Sequence, residues 1–340
     1  MREIGGYIEL DSYRLPMLHE GAIALNCGRN ALAWLLRARQ IKKLWIPKFI
    51  CDSVTEVCAR EGIAWAFYSI GRDFLPAQEL TPGEDEWVYF VNYYSQFDNS
   101  RIAALIEKFR RVIVDQAQSY FQPPLAGVDT LYTCRKYFGV ADGAFLYTDA
   151  VLSQELPRDE SFERMRFLLG RYERTAAEFY DEYAANNELF YTQPIKRMSR
   201  LTENLLHGID YTFVKARREE NYRTLHRALG GINGLTLCDH PGSFMYPLLL
   251  ENGAAIRKKL QQEKIYIPTL WPDVFGWCSK SETEYKLAEN ILPLPIDQRY
   301  DADDMRILAE TIKKKLDFRN RSLTTKTPRR KGKPGGRDRC

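Results

Sequence analysis

Hydrophobic positions in the first 120 residues fall into short blocks that switch between two periods. Residues 29–40 (RNALAWLLRARQ) space Leu32, Leu35 and Leu36 at helical intervals. Residues 42–49 (KKLWIPKF) read as a strand ending near Pro47, and 52–62 as a helix capped by Asp52 and stopped by Gly62. Residues 63–70 (IAWAFYSI) and 86–94 (EWVYFVNYY) are strands, nearly all apolar in their middles. Residues 99–109 form a helix opened by Asn99, and 110–118 (RRVIVDQAQ) are again a strand. Continuous apolar strands separated by amphipathic helices predict an α/β fold with a mostly parallel sheet covered on both faces.

Further on, residues 129–149 (DTLYTCRKYFGVADGAFLYTD) alternate like a strand pair, yet Arg135 and Lys136 interrupt them. Residues 152–230 are long, charged and helical. After Gly230 and Gly231, 243–251 and 265–271 read as strands around a helix near 254–264. Ser281 with Glu284 has the form of a capping box, and 301–316 closes the fold as an amphipathic helix. The expected organisation is a large domain over 1–234 with a helical segment at 152–230, a small C-terminal α+β domain over 235–318, and a disordered basic tail at 319–340.

Charge refines this picture. The chain has 340 residues and a net charge of +4, but the last twenty carry eight Lys or Arg against one Asp, so the remaining 320 residues sum to about three negative charges. The body shows no basic bias, and a nucleic-acid partner is not expected. No apolar run approaches the ~18 residues of a membrane span, and the N-terminus has no apolar core of the signal type, so a cytoplasmic protein is the expectation. Seven scattered cysteines without a C-x-x-C pair read as reduced, mostly buried thiols, and the four histidines lie too far apart for a metal site. No G-x-G-x-x-G follows a strand and no P-loop occurs.

Open parallel sheets bind ligands beyond the carboxyl ends of their strands. Asp115 directly follows Val112, Ile113 and Val114, where a carboxylate is costly unless something pairs with it; it is read either as a structural hydrogen bonder or as a charge aimed at a ligand cation. Lys136 is read either as a buried amine available as a nucleophile or as a lysine whose head reaches water. Gly28 precedes a helix whose free N–H groups could hold phosphate, with Arg29 adding a cation. Together these fit pyridoxal 5'-phosphate, whose phosphate needs N–H groups, whose ring nitrogen needs a carboxylate and whose aldehyde needs an amine. Tyr93 and Tyr94 end a predicted strand, and pocket lining and core packing explain them equally well; Arg135 is a further candidate contact to substrate.

These segments, in this order, resemble the DegT-type sugar nucleotide aminotransferases, a branch of the fold-type I pyridoxal phosphate enzymes. The family's Gly-Thr-x-Ala-Leu reads Gly28-Arg29-Asn30-Ala31-Leu32 here. Its Glu-Asp-x-Ala-Gln/His reads Val114 to Gln118, and its Gly-Glu-Gly-Gly after the lysine reads Ala141 to Ala144. The resemblance spans roughly 20 to 316 and implies an aspartate-aminotransferase-like large domain. It also implies Lys136 as the residue carrying the cofactor, Asp115 on the pyridine nitrogen and Gln118 near the ring. Gly28, Arg29 and Asn30 would lie at the phosphate. The family's hydroxyl ligand five residues before the lysine is Leu131 here, and Thr133 is the substitute. Cys51 or Phe49 occupies the place of the stacking aromatic.

The implied activity moves an amino group from an amino acid, glutamate in many members, to a keto sugar attached to a nucleotide, as in surface polysaccharide synthesis. The implied assembly is a homodimer in which Ser199, Arg200 or Asn221 reaches the neighbouring site. Two other readings stay open. A pyridoxal phosphate sugar dehydratase would carry a histidine where Lys136 stands, and a cofactor-binding regulator would bind without turnover.

Overall fold

The computed structural model describes residues 4–238 and 241–324, with side chains through 316. A seven-stranded sheet organises the first half of the chain. Its strands are β1 (Ile23–Leu25), β2 (Lys43–Pro47), β3 (Ala64–Tyr68), β4 (Glu86–Val91), β5 (Val112–Asp115), β6 (Asp129–Thr133) and β7 (Ala144–Tyr147), in the order β1-β7-β6-β5-β4-β2-β3. The run from β6 to β3 is parallel, whereas β7 is antiparallel to β6 and to β1. The strands leave β2 in one direction and β4 in the other, which puts the topological switch between them.

Helices α1 (Gly28–Ala38), α2 (Asp52–Glu61) and α3 (Asn99–Phe109) link these strands. α1 is the central one: Ala31 to Leu36 are all 5% exposed or less, because the helix packs along the sheet. α2 ends at Gly62 in the left-handed region (φ 68), as its position after the last apolar residue predicted. Asp52, however, is not its cap. Cys51 occupies that place and the Asp52 carboxylate accepts from the Tyr191 hydroxyl at 2.9 Å. Asp98, rather than Asn99, caps α3 by accepting from Arg101 N–H at 2.8 Å.

After β7 come α4 (Arg166–Glu173), α5 (Tyr180–Thr192), α6 (Arg200–Leu206) and the long α7 (Tyr211–Leu229). The rest of the chain forms β8 (Met245–Leu249), α8 (Gly253–Gln262), the short α9 (Val274–Trp277), α10 (Thr283–Asn290), β9 (Ile291–Pro295) and α11 (Ala302–Thr324). β8 and β9 pair antiparallel, with Pro247 facing Pro293, a register in which neither residue has an N–H to donate. Their hydrophobic core is a second one, holding Tyr246, Leu248, Leu292 and Leu294 with Ile312 of α11 and Leu225 and Leu229 of α7. No described helix is long and apolar enough to cross a membrane.

Two expectations fail in this half. Residues 265–271 form no strand; Pro268 and a left-handed Trp271 (φ 55) break the extended path, and β9 takes the place beside β8. The Ser281–Glu284 capping box is also absent. The Ser281 hydroxyl meets Ser279, while Glu284 is buried at 1% exposed and accepts from Ile70 N–H at 2.8 Å across the two halves of the chain. α11 continues to Thr324, past the expected start of the tail at 319; the remainder of that tail lies outside the described residues. The six described cysteines are unpaired, and four of them are buried.

Gly253 opens α8 against the end of α10, where a Cβ would overlap the backbone carbonyl of Asn290. Gly253→Ala should therefore lose about 1–3 kcal/mol of stability, as overpacking against rigid backbone does, measured by urea unfolding.

Candidate active site

A cavity of about 1760 Å³ opens at the switch point, where the carboxyl ends of β4, β5 and β6 meet the start of α1. Asp115 ends β5 there. Its Oδ1 accepts from Ala117 N–H at 2.7 Å and its Oδ2 from the Tyr89 hydroxyl at 2.8 Å, and the carboxyl remains partly open to the cavity. Burial pushes its pKa above the usual carboxylate value, while the charge of Lys136 and these two donors oppose the rise. The cation and the carboxylate thus sense each other across the same space.

Lys136 lies on the turn between β6 and β7, not inside a strand. Its side chain is exposed and lines the cavity, with Nζ 5.8 Å from the Phe244 ring centroid. The expectation of an amine enclosed in apolar surroundings is therefore not met. The chain has to reverse after Thr133 to enter the antiparallel β7, and that turn carries Lys136 beyond the sheet. The next residue anchors it. Tyr137 is 3% exposed, the Arg218 guanidinium lies 4.4 Å over its ring, and its carbonyl accepts from Gln298 at 2.8 Å.

Gly28 and Arg29 line the cavity at the first turn of α1, which has no side-chain cap. Cys51 and Thr133 line it too, and so does Leu131. Gln118 reaches its edge, with Oε1 fixed by Tyr94 N–H at 2.7 Å. Asn30 does not reach it. Its side chain is fully buried, donating to Asn26 and to the Pro194 carbonyl and accepting from Arg60. Position 30 faces away because the residue two after the helix start turns toward the protein interior.

Tyr93 and Tyr94 are likewise core residues. Each is 1% exposed, Tyr93 donates to the Phe49 carbonyl at 2.6 Å, and both pack on Phe74 and Trp271. Trp271, which no motif flagged, lines the cavity in their place. Ser199 and Asn221 are buried within their own chain, Ser199 on Asp142 and Asn221 on the Tyr300 carbonyl at 2.9 Å, so neither is free to reach a neighbour. Arg135 does line the cavity, where it donates to Asn187.

Sequence reading missed Tyr89, Arg218 and the wall formed by α4 and α5. Tyr89 looks like any aromatic in an apolar strand. Only the parallel register, which sets Tyr89 beside Ile113, puts its hydroxyl on Asp115. Arg218 is 1% exposed within a charged helical stretch that gives no hint of burial.

No protein-family model and no curated protein matches the chain. Solved structures do. The sugar aminotransferase CalS13 from Micromonospora echinospora aligns at 18% identity over 87% of this chain and 88% of that one, with a TM-score of 0.59. A DegT DnrJ EryC1 StrS aminotransferase from Brucella abortus aligns at 17% identity over 87% and 86%, with a TM-score of 0.57. The sugar aminotransferase Spr1654 from Streptococcus pneumoniae, described as putative and solved in its PMP form, aligns at 16% over 90% and 88%, with a TM-score of 0.63. This chain has the fold of the DegT-type sugar aminotransferases. The α/β architecture expected from the strand pattern is thereby met over most of its length.

The Asp142 carboxylate, in the family's acidic position after the lysine, is fully buried and accepts from Ser199 N–H at 2.8 Å, from the Ser199 hydroxyl at 2.7 Å and from Thr202. Asp142→Ala strands those donors and should cost several kcal/mol, read as a lowered urea midpoint. Asp115 makes a prediction of opposite sign. An acid whose pKa is raised by folding loses stability as pH climbs through that raised value, and is without effect below its ordinary one. Ligand-free Asp115→Asn should therefore be more stable than the parent at neutral pH, and urea unfolding should show the gap closing toward about pH 4.

Proposed function

We propose that the protein is a pyridoxal-phosphate-dependent aminotransferase acting on a keto sugar. The observation that carries this reading is that Asp115, Lys136 and the N-terminus of α1 line one cavity, at the switch point of a fold shared with sugar aminotransferases. The residues fit the cofactor. A partly desolvated carboxylate suits a protonated ring nitrogen, an amine suits an aldehyde, and an uncapped helix start beside Arg29 suits a phosphate. Gln118 and Cys51 would border the ring, with Thr133 toward the phosphate, while Asn30 is too deeply locked to take part. Bound there, pyridoxal 5'-phosphate would supply an aldehyde that exchanges with amines and a ring that withdraws electrons from the attached carbon.

The chain's own groups would do the rest. Lys136 Nζ, exposed on the turn after β6, would take the proton from the donor's Cα and later return one to the acceptor carbon. Asp115, held by Tyr89 and Ala117, keeps a proton on the ring nitrogen. The donor is an amino acid such as glutamate and the acceptor a keto sugar, nucleotide-linked as in surface polysaccharide synthesis. Lys136 favours this over sugar dehydration, for which a histidine would stand there. A homodimer completes the proposal: Leu169, Tyr172 and Tyr180, on the cavity wall, are 62%, 93% and 64% exposed, an apolar rim that a second copy would cover.

The purified protein should show an absorbance band near 410–430 nm from its cofactor and convert glutamate to 2-oxoglutarate in a single turnover without sugar. Borohydride should fix the cofactor mass on the peptide containing Lys136. Lys136→Ala should abolish fixation and lower turnover at least ~1,000-fold. A protein that binds the cofactor but gives no half-reaction would support the regulator reading instead.

A further inference from the structure

Beside the turn that carries Lys136 lies a buried guanidinium without a carboxylate. Arg218 of α7 is 1% exposed and lines the cavity. Its Nη1 donates to the Ser243 and Phe244 carbonyls, while its Nε is buried without a hydrogen-bond partner. The carboxylate that senses its charge, Asp297, is taken by Arg299, which donates to both oxygens at 2.6 and 2.9 Å. Arg218 makes no ion pair among the described residues. Burial pulls its pKa below the usual guanidinium value, with Tyr137 and Asp297 opposing the fall. Gln298, whose Nε2 donates to the Tyr137 carbonyl, also has a buried Oε1 without a partner.

A buried cation is costly unless something pairs with it. Arg164 shows the usual solution, an ion pair with Asp159 at 2.7 Å. Covering the Tyr137 ring at 4.4 Å explains a flat side chain at position 218 but not a charged one. The two carbonyls use one of its three nitrogens, which leaves the edge formed by Nε and Nη2. That edge matches both oxygens of a carboxylate. An aromatic pair sets it beside the amine. Lys136 Nζ lies 5.8 Å from the Phe244 ring centroid, and Phe244 packs at 5.8 Å on Tyr137, the ring that Arg218 covers. In an α-amino acid, the carbon that loses a proton to such an amine bears its carboxylate one bond away.

We propose that Arg218 recognises a substrate carboxylate beside the reacting carbon. This deepens the function proposed above and rests on it for the identity of the reaction. The carboxylate belongs either to the amino donor or to an acceptor that is a sugar acid, because both substrates would present their reacting carbons to the same amine in turn.

The test uses the full chain in the presence of pyridoxal 5'-phosphate. The probe is glutarate, which has the carboxylates of glutamate and no amine. Calorimetry should show glutarate binding at least about tenfold tighter than glutaramide, its neutral counterpart. Arg218→Met keeps the aliphatic stem over Tyr137; it should weaken glutarate about tenfold or more and leave glutaramide within about twofold. Arg218→Lys, which keeps the charge but loses the fork, serves if the methionine variant misfolds and should show an intermediate loss. If the donor supplies the carboxylate, Arg218→Met raises the glutamate concentration that half-saturates the single turnover about tenfold, while the maximal rate stays within about threefold. If the acceptor supplies it, glutamate saturation is kept, and uridine diphosphate glucuronate loses its binding advantage over uridine diphosphate glucose. A parent that binds glutarate no better than glutaramide overturns the proposal, and so does a variant whose glutarate affinity stays within about twofold of the parent. Arg218 then only braces Tyr137, with a trapped water as the partner of its Nε. Borohydride fixation on Lys136 of the parent separates the two claims. Fixation with unchanged glutarate affinity sinks the carboxylate site alone, and weakened glutarate binding without fixation sinks the function alone.

Discussion

Val112, Ile113 and Val114 are 5% exposed or less, and the Asp115 carboxylate follows them directly. A charge in that position has to be met by donors or it stays protonated. The parallel register of β4 and β5 meets it with the Tyr89 hydroxyl, and the backbone bend after β5 adds Ala117 N–H. Those contacts satisfy part of the carboxyl and leave the remainder facing the cavity. The cavity's position follows from the same register, since β4, β5 and β6 end side by side at the switch point. A one-residue slip of β5 would turn Asp115 to the other face of the sheet and remove the carboxylate from the site.

The second half of the chain enters the site through the turn that follows β6. Tyr137 is covered by Arg218 of α7 and by Phe244, and its carbonyl is held by Gln298, which follows β9. Arg218 in turn donates to the Ser243 and Phe244 carbonyls at 3.2 and 3.1 Å, just before β8. The small two-stranded unit therefore fixes the residue next to Lys136 while Lys136 itself stays exposed.

Helices and parallel strands were legible because each carries its own period and its own stop signals, as Gly62 shows. What failed were positions where a tertiary partner outweighed a local rule. Glu284 had the spacing of a cap but crosses to Ile70 N–H, and Asp52 had the place of a cap but goes to Tyr191. At the site, order and separation were enough to bring Asp115, Lys136, Gly28 and Arg29 to one cavity. Which side each neighbour faces was not legible. Asn30 follows Arg29 directly and is sealed in the core, and Tyr93 and Tyr94 end beside the site with their rings in the aromatic cluster around Trp271. Sequence spacing places a residue near a site, but helix phase and the sharp backbone after β4, where Tyr94 and Ser95 have positive φ, decide its direction.

The charges left over in the cavity divide by sign and by place. Positive charge gathers at the start of α1, in Arg29 and Arg135, while a carboxylate disfavoured by burial stands at the end of β5. Packed interiors neutralise such groups, as Arg164 on Asp159 and Glu284 on Ile70 N–H do elsewhere in the same fold. Neither Asp115 nor Arg135 makes an ion pair among the described residues, and burial disfavours the charged form of each. Ligand binding to the folded chain alone then stabilises it by mass action. The separation of charge along the cavity thus gives it a polarity, positive toward α1 and negative toward Asp115.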